Sequence, residues 1–158
     1  MAGLGWLAPR ILAHLDDTPD FYLDQVAQVV MDRWSSGRVG LLGDAAFSSS
    51  PMSGQGTGLA LIGAYLLAGE LAAAGWNPKA GFAGYEGRMR SFVAANQEIG
   101  RLHARSLDVP GPDAAPNVEE WPADLIERAI NGVELPDYAG VPDSRASAGP
   151  PVTSSVMP

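Results

Sequence analysis

The stretch Gly37-Arg38-Val39-Gly40-Leu41-Leu42-Gly43-Asp44-Ala45-Ala46-Phe47-Ser48-Ser49-Ser50-Pro51-Met52-Ser53-Gly54-Gln55-Gly56-Thr57-Gly58 decides how this chain is read. Residues 38–43 form a short apolar run bounded by the turn formers Ser35, Ser36 and Gly37, the pattern of a buried strand. Residues 44–58 combine small side chains, one proline and three glycines, which predicts a loop with no regular element. From Thr57 to about Ala74 apolar residues recur at helical spacing and spread nearly all round, which predicts a buried helix.

Chemistry concentrates in that strand, loop and helix. Asp44 stands where the strand leaves the sheet, and a carboxylate there can accept charge-assisted hydrogen bonds from a ligand's hydroxyls. It can equally cap a turn. Gly54, Gln55, Gly56, Thr57 and Gly58 lead into the helix N-terminus. Glycines there let backbone approach a ligand closely, and free amides at a positive helix end favour negative charge. The plainer reading is that they only turn the chain. Pro51 stiffens the loop between the two. No G-x-S-x-G elbow is present, so Ser48, Ser49, Ser50 and Ser53 read as loop serines and not as nucleophiles. Gly3 to Ala8 match G-x-G-x-x-A, but only two residues precede them. No strand can lead into that turn, so the match carries no dinucleotide reading.

Outward from this core, residues 4–15 predict a short helix with Pro9 in its first turn, and Asp16 to Asp20 a break. Residues 21–31, with Tyr22, Val26, Val29 and Val30, predict a second strand. Gly75-Trp76-Asn77-Pro78 ends the buried helix. Residues 79–100 then predict an amphipathic helix whose Phe82, Tyr85, Met89, Phe92 and Val93 share a face, with Glu86 and Arg90 paired at i,i+4. A short helix is expected at 121–130, around Trp121, Leu125 and Ile130. Nine of the thirteen prolines lie from Pro110 onward. This divides the chain into a folded part at 1–108, a proline-rich extension at 109–138 and a disordered tail at 139–158.

Composition excludes several functions. The chain has no cysteine, so it has neither disulfides nor thiolate sites, in keeping with a reducing cytoplasm. Its two histidines, His14 and His103, lack metal-ligand spacing, and no metal site is expected. A net charge of −8 without a basic stripe argues against nucleic acid. The longest apolar run, Leu59 to Ala68, is too short to span a bilayer, and no signal peptide is evident, so no membrane association is expected.

The run from Gly37 to Ala46, with Pro51, Gly54-Gln55-Gly56 and an Ala/Leu-rich helix after it, resembles the second FAD motif of the group A flavin monooxygenases, whose fold is that of para-hydroxybenzoate hydroxylase. The likeness is closer to actinobacterial FAD-dependent oxidoreductases and tetracycline-modifying monooxygenases. It extends over residues 3–105 through Gly5-Trp6, Pro9, Phe21-Tyr22, Met31-Asp32-Arg33-Trp34 and Tyr85 to Arg90. The resemblance implies an α/β fold, here an α+β fragment. It would be the C-terminal portion of an FAD-binding, Rossmann-like monooxygenase, with short strands at about 21–31 and 38–43 and long helices at about 57–74 and 79–100. It implies FAD as cofactor, held by Gly43, Asp44, Pro51, Gly54, Gln55, Gly56, Thr57 and Gly58. Asp44 would hold the ribityl chain, the amides of residues 56–58 would face flavin N1 and the C2 carbonyl, and Pro51 would lie beside the isoalloxazine. Phe47 stands where many relatives have histidine, which argues against proton transfer there. The implied reaction is hydroxylation of an organic, aromatic or polycyclic substrate by O2 with NAD(P)H as reductant, and it requires no side chain as catalytic acid or base.

The family's N-terminal G-x-G-x-x-G turn, its middle Asp-Gly motif and most of its substrate sheet have no counterpart in this sequence. The expectation is therefore a segment that works when completed by an N-terminal FAD-domain chain. Two alternatives are a non-catalytic remnant or interaction module, and another FAD-dependent oxidoreductase of the same fold.

Overall fold

A computed structural model describes residues 5–106 and 121–141. Two long antiparallel helices dominate it. Helix α1 is Ala8–Leu12, β1 is Ser35–Ser36, β2 is Val39–Gly40, α2 is Asp44–Phe47, a 3₁₀ turn covers Pro51–Ser53, α3 is Gly56–Ala73, α4 is Pro78–Ser106 and α5 is Ala123–Asn131.

Helix α3 forms where the sequence places it and buries Leu59, Gly63, Leu66 and Gly69 on one face. At Gly63 a methyl group would stand 2.9 Å from Leu42 Cδ1 and 3.2 Å from Phe47, so the bare backbone is what lets α3 press onto the 41–47 segment. Gly75 and Trp76, both at positive φ, close the helix, and the Trp76 amide donates to the Leu71 carbonyl at 2.8 Å. Pro78, needing no amide partner, then opens α4. Helix α4 runs longer than the expected 79–100 and buries the predicted Phe82, Tyr85, Met89, Phe92 and Val93. Tyr85, Met89, Phe92 and Val93 meet Trp34, Phe47, Leu59 and Leu66 in the main core. A smaller cluster joins Ala95 and Ile99 of α4 to Leu125 and Ala129 of α5. Trp121 packs against that cluster, whereas Ile130 is exposed.

Three sequence expectations are corrected. Residues 21–31 form no strand. Among the described residues no second strand lies beside them, and a side-chain amide (Gln97) and a loop carbonyl (Ser48) take up the backbone of Val29. Phe21, Tyr22, Leu23, Val26 and Val30 are exposed. The predicted strand 38–43 is reduced to Val39–Gly40, which pairs with Ser35–Ser36 in a hairpin around Gly37 (φ 59°). The paired segment is β1, not residues 21–31, because Gly37 reverses the chain too tightly for the earlier stretch to lie alongside. Residues 44–58 are not featureless: they hold α2 and the 3₁₀ turn. Helix α3 extends past the apolar run Leu59 to Ala68. At eighteen residues α3 is long and apolar enough, by length and composition, to cross a membrane, and 22% of it is buried here.

Residues 136–138 fold back over α3. Tyr65 Oη donates to the Pro136 carbonyl and Tyr138 Oη to Glu70, each at 2.6 Å. Glu70 also accepts from Arg88 of α4 at 2.6 Å. The expected tail at 139–158 lies outside the described residues beyond Val141, as do residues 109–120 of the expected extension.

Candidate functional site

The site grows out of one sharp bend. Gly43 adopts φ 62° and ψ −141°, a conformation essentially closed to residues with a Cβ, and so turns the chain from the hairpin into α2. Asp44 becomes the first residue of α2. Its side chain is exposed and makes no hydrogen bond to the described residues. Ala46 and Phe47 on the opposite side of this turn are buried, with Phe47 4.8 Å from the Trp34 ring. Phe47 therefore serves the core and does not face the cleft.

Ser48 to Gly54 then wrap toward α3. Ser49 and Ser50 are buried, and Ser49 Oγ shares a 2.7 Å hydrogen bond with Ser53 Oγ. Ser53 Oγ in turn accepts from the Gln55 amide at 3.2 Å. Gly54, at φ 68°, ends the 3₁₀ turn and delivers the chain to α3. The first amide bonded within α3 is that of Leu59, to the Gln55 carbonyl at 2.9 Å, and the Gln55 side chain forms no cap. The amides of Gly56, Thr57 and Gly58 thus have no partner among the described residues, at the positive end of an eighteen-residue helix.

These pieces enclose an open cleft of about 570 Å³ lined by Asp44, Ser48, Ser49, Ser50, Pro51, Gly54, Gly56, Thr57, Ala60 and Leu61. Of the eight residues singled out from sequence, Asp44, Pro51, Gly54, Gly56 and Thr57 line it. Gly43, Gln55 and Gly58 do not; they shape the bends on either side. Among the described residues Asp44 is the only ionisable side chain on its wall, and a methyl on Gly56 would stand 4.0 Å from Asp44 Oδ1. The three serines before Pro51, read from sequence as loop residues, also belong to the wall.

Sequence reasoning missed the residues that hold this loop from behind. Gln28 Nε2 donates to the Ser49 carbonyl at 2.9 Å, and Gln97 Nε2 donates to the Val29 carbonyl at 2.7 Å. His103 Nδ1 donates to the Met52 carbonyl at 2.8 Å. The available signal was a glutamine within the apolar stripe of α4, with Gly100 three residues later: a methyl there would overlap the Ser49 carbonyl oxygen.

A second polar centre supports the hairpin. Glu86 accepts from the Trp34 amide at 3.2 Å, from Ser35 Oγ at 2.6 Å and from Arg90 at 2.6 Å. Burial alone would raise its pKa, but the bonds from Ser35, Arg90 and Trp34 outweigh burial and hold it below the usual 4.5. Arg90 also lies over the Trp34 ring, 4.0 Å from its centre, and donates to the Met31 and Asp32 carbonyls. The i,i+4 pair read from sequence is thus the hub that fixes Trp34, and through Trp34 the buried side of α2.

Comparison with known proteins gives this geometry its setting. Residues 17–98 match the FAD binding domain family, and the chain belongs to it as a group A FAD-dependent monooxygenase-like protein. It is 44% identical over 138 residues to an uncharacterized protein of Mycobacterium tuberculosis (strain ATCC 25618 / H37Rv), covering 87% of this chain and 34% of that protein. It is 41% identical over 137 residues to a flavin-dependent monooxygenase of Legionella longbeachae serogroup 1 (strain NSW150), covering 85% of this chain and 35% of the relative. Among solved structures it is similar to the tetracycline destructase Tet(55), with a TM-score of 0.68 and 37% identity, covering 85% of this chain and 36% of that one. The chain thus spans about a third of the length of these relatives.

Proposed function

We propose that this chain is the segment of a flavin-dependent monooxygenase that holds the ribityl and isoalloxazine part of FAD, completed by an N-terminal FAD-domain polypeptide carrying the ADP-binding half. The observation that carries the reading is the juxtaposition across one cleft of Asp44, a carboxylate with no partner among the described residues, and the uncapped amides of Gly56 and Thr57. A carboxylate with no partner among the described residues suits hydroxyls supplied by a ligand. Free amides at a positive helix end suit a ring that gathers negative charge when reduced.

When bound, FAD would supply the redox and oxygen chemistry, with NAD(P)H as reductant, for hydroxylation of an organic, aromatic or polycyclic substrate in the cytoplasm. The chain's own residues bind and orient. Asp44 fixes the ribityl hydroxyls, the residue 56–58 amides stabilise negative charge at one ring edge, and Pro51 presents a rigid apolar wall to the ring. Gly43, Gln55 and Gly58 shape the approach, and Gly54 makes the turn. No side chain on the cleft wall is required as an acid or base.

The test is direct. The purified chain is mixed with FAD and desalted, and the visible spectrum and flavin fluorescence are recorded, alone and with the N-terminal half of a relative added. A retained, perturbed flavin spectrum is expected. Asp44→Ala should weaken binding about tenfold or more, the loss of at least one hydrogen bond to a charged acceptor. Unchanged affinity in Asp44→Ala would refute the ribityl assignment, and absence of flavin even with the added half would refute the cofactor reading.

A further inference from the structure

Ser50 is the one strained residue on the cleft wall. At φ 69° and ψ 158° it occupies a backbone region that essentially only glycine enters, and it is 7% exposed. Such a conformation persists only where its surroundings over-determine it. Those surroundings lie outside the cleft. Gln28 Nε2 bonds the Ser49 carbonyl at 2.9 Å and the Gln97 main-chain carbonyl at 2.7 Å. Gln97 Nε2 bonds the Val29 carbonyl at 2.7 Å and reaches the Ser48 carbonyl at 3.5 Å, while the Val29 amide donates to that same Ser48 carbonyl at 3.0 Å. Arg101 donates to Gln28 Oε1 at 3.1 Å, which turns the Gln28 amide nitrogen toward the loop. Gly100 gives the Ser49 carbonyl room against α4.

We propose that Gln97 and Gln28 are positioning residues for the cleft: their side-chain amides hold the Ser48–Ser49 segment on α4, keep Ser50 in its strained conformation and thereby turn Pro51 toward the ligand. Its meaning for a flavin rests on the reading above, but the clamp is a property of the loop with or without a ligand. Without these amides the carbonyls of Ser49 and Val29 would lack partners among the described residues, and Ser50 would relax to an ordinary extended conformation. Pro51 would swing with it, since its own φ is fixed by the ring.

The experiment compares amide hydrogen exchange in the full chain for wild type, Gln97→Met, Gln28→Met, Ser50→Gly and the Gln97→Met/Ser50→Gly double variant, with FAD titration of each in parallel. Methionine keeps the length and packing of glutamine and removes the donor. Gln97→Met is expected to speed exchange across residues 48–58 about tenfold while leaving 123–131 unchanged. Adding Ser50→Gly, which removes the strain, is expected to return exchange to within about threefold of wild type and to restore flavin affinity with it.

No change at 48–58, an equal rise at 48–58 and 123–131, or a further rise on adding Ser50→Gly would each overturn the clamp. Gln28→Met, at a half-buried position, decides the same question should Gln97→Met unfold the chain. If wild type binds no FAD even with the N-terminal half of a relative added, yet the exchange pattern holds, the cofactor reading fails and the clamp stands. If wild type binds FAD and Gln97→Met matches it in both readouts, the clamp fails and the reading stands.

Discussion

Replacing Glu86 with glutamine removes one charge and little else in shape. The wild-type carboxylate takes three hydrogen bonds, from the Trp34 amide, Ser35 Oγ and Arg90. Glutamine still accepts on one side but turns a second donor toward Arg90, whose guanidinium then keeps only the Met31 and Asp32 carbonyls and the Trp34 ring. The side chain of Glu86 is 16% exposed, so screening by water is partial. Losing one charged hydrogen bond and weakening another should cost about 2–3 kcal/mol at neutral pH. For a chain of this size that is a fall in melting temperature of roughly 5–10 °C.

The pH dependence gives the sharper test. Glu86 ionises more readily in the folded chain than its usual 4.5, so the folded state holds fewer protons below that value. Its contribution is fully present above about pH 4.5 and is lost as pH falls through the depressed folded value. The gap between wild type and Glu86→Gln, followed by circular dichroism during thermal unfolding, should therefore be constant near neutrality and narrow below pH 4.5. A gap under about 0.5 kcal/mol at pH 7, within the range of an ordinary surface substitution, would refute the hub assigned to Glu86, as would a gap that stays constant into acid.

Other expected outcomes bear on different parts of the molecule. Gly100→Ala places a methyl against the Ser49 carbonyl and 2.8 Å from Gln28 Nε2, and should lower the denaturant midpoint by about 1–3 kcal/mol equivalent while reducing flavin retention. Phe47→His should destabilise by about 2 kcal/mol or more in urea titration. Phe47 is 1% exposed beside Trp34, and an imidazole would bring unpaired polar atoms there. Tyr138 has its pKa pushed up to about 12 by burial and by its hydrogen bond to Glu70. Its stabilising effect should be intact below pH 10 and lost as pH rises through about 12, and Tyr138→Phe should remove that component from the tyrosinate absorbance titration.

The helices and their faces were legible because periodicity encodes local geometry. Phe82, Tyr85, Met89, Phe92 and Val93 announce one stripe at three- and four-residue spacing, and Gly75 to Pro78 announce the stop. The Asp44 to Gly58 site was legible for a related reason, since glycines and a proline mark where backbone must bend. Two things were not legible. The strand expected at 21–31 depended on a neighbour, and β-branched residues express a preference for a pleated surface without supplying the strand beside it. The clamp behind the site joins residues up to 73 positions apart, such as Gln28 and Arg101. A glutamine in an apolar stripe signals that some partner exists and says nothing of which carbonyl it meets. Ser50 shows the limit most plainly: serine carries no mark of a conformation that its neighbours impose.

The exposed row of Phe21, Tyr22, Leu23, Val26 and Val30 has a consequence for how the chain behaves in solution. Exposed apolar side chains draw copies together, and the attraction strengthens on warming. What opposes it is mutual repulsion from a net charge of −8, which vanishes near the isoelectric point of about 4.5. Colloidal stability is therefore greatest in cold, dilute, neutral solution and least in mild acid.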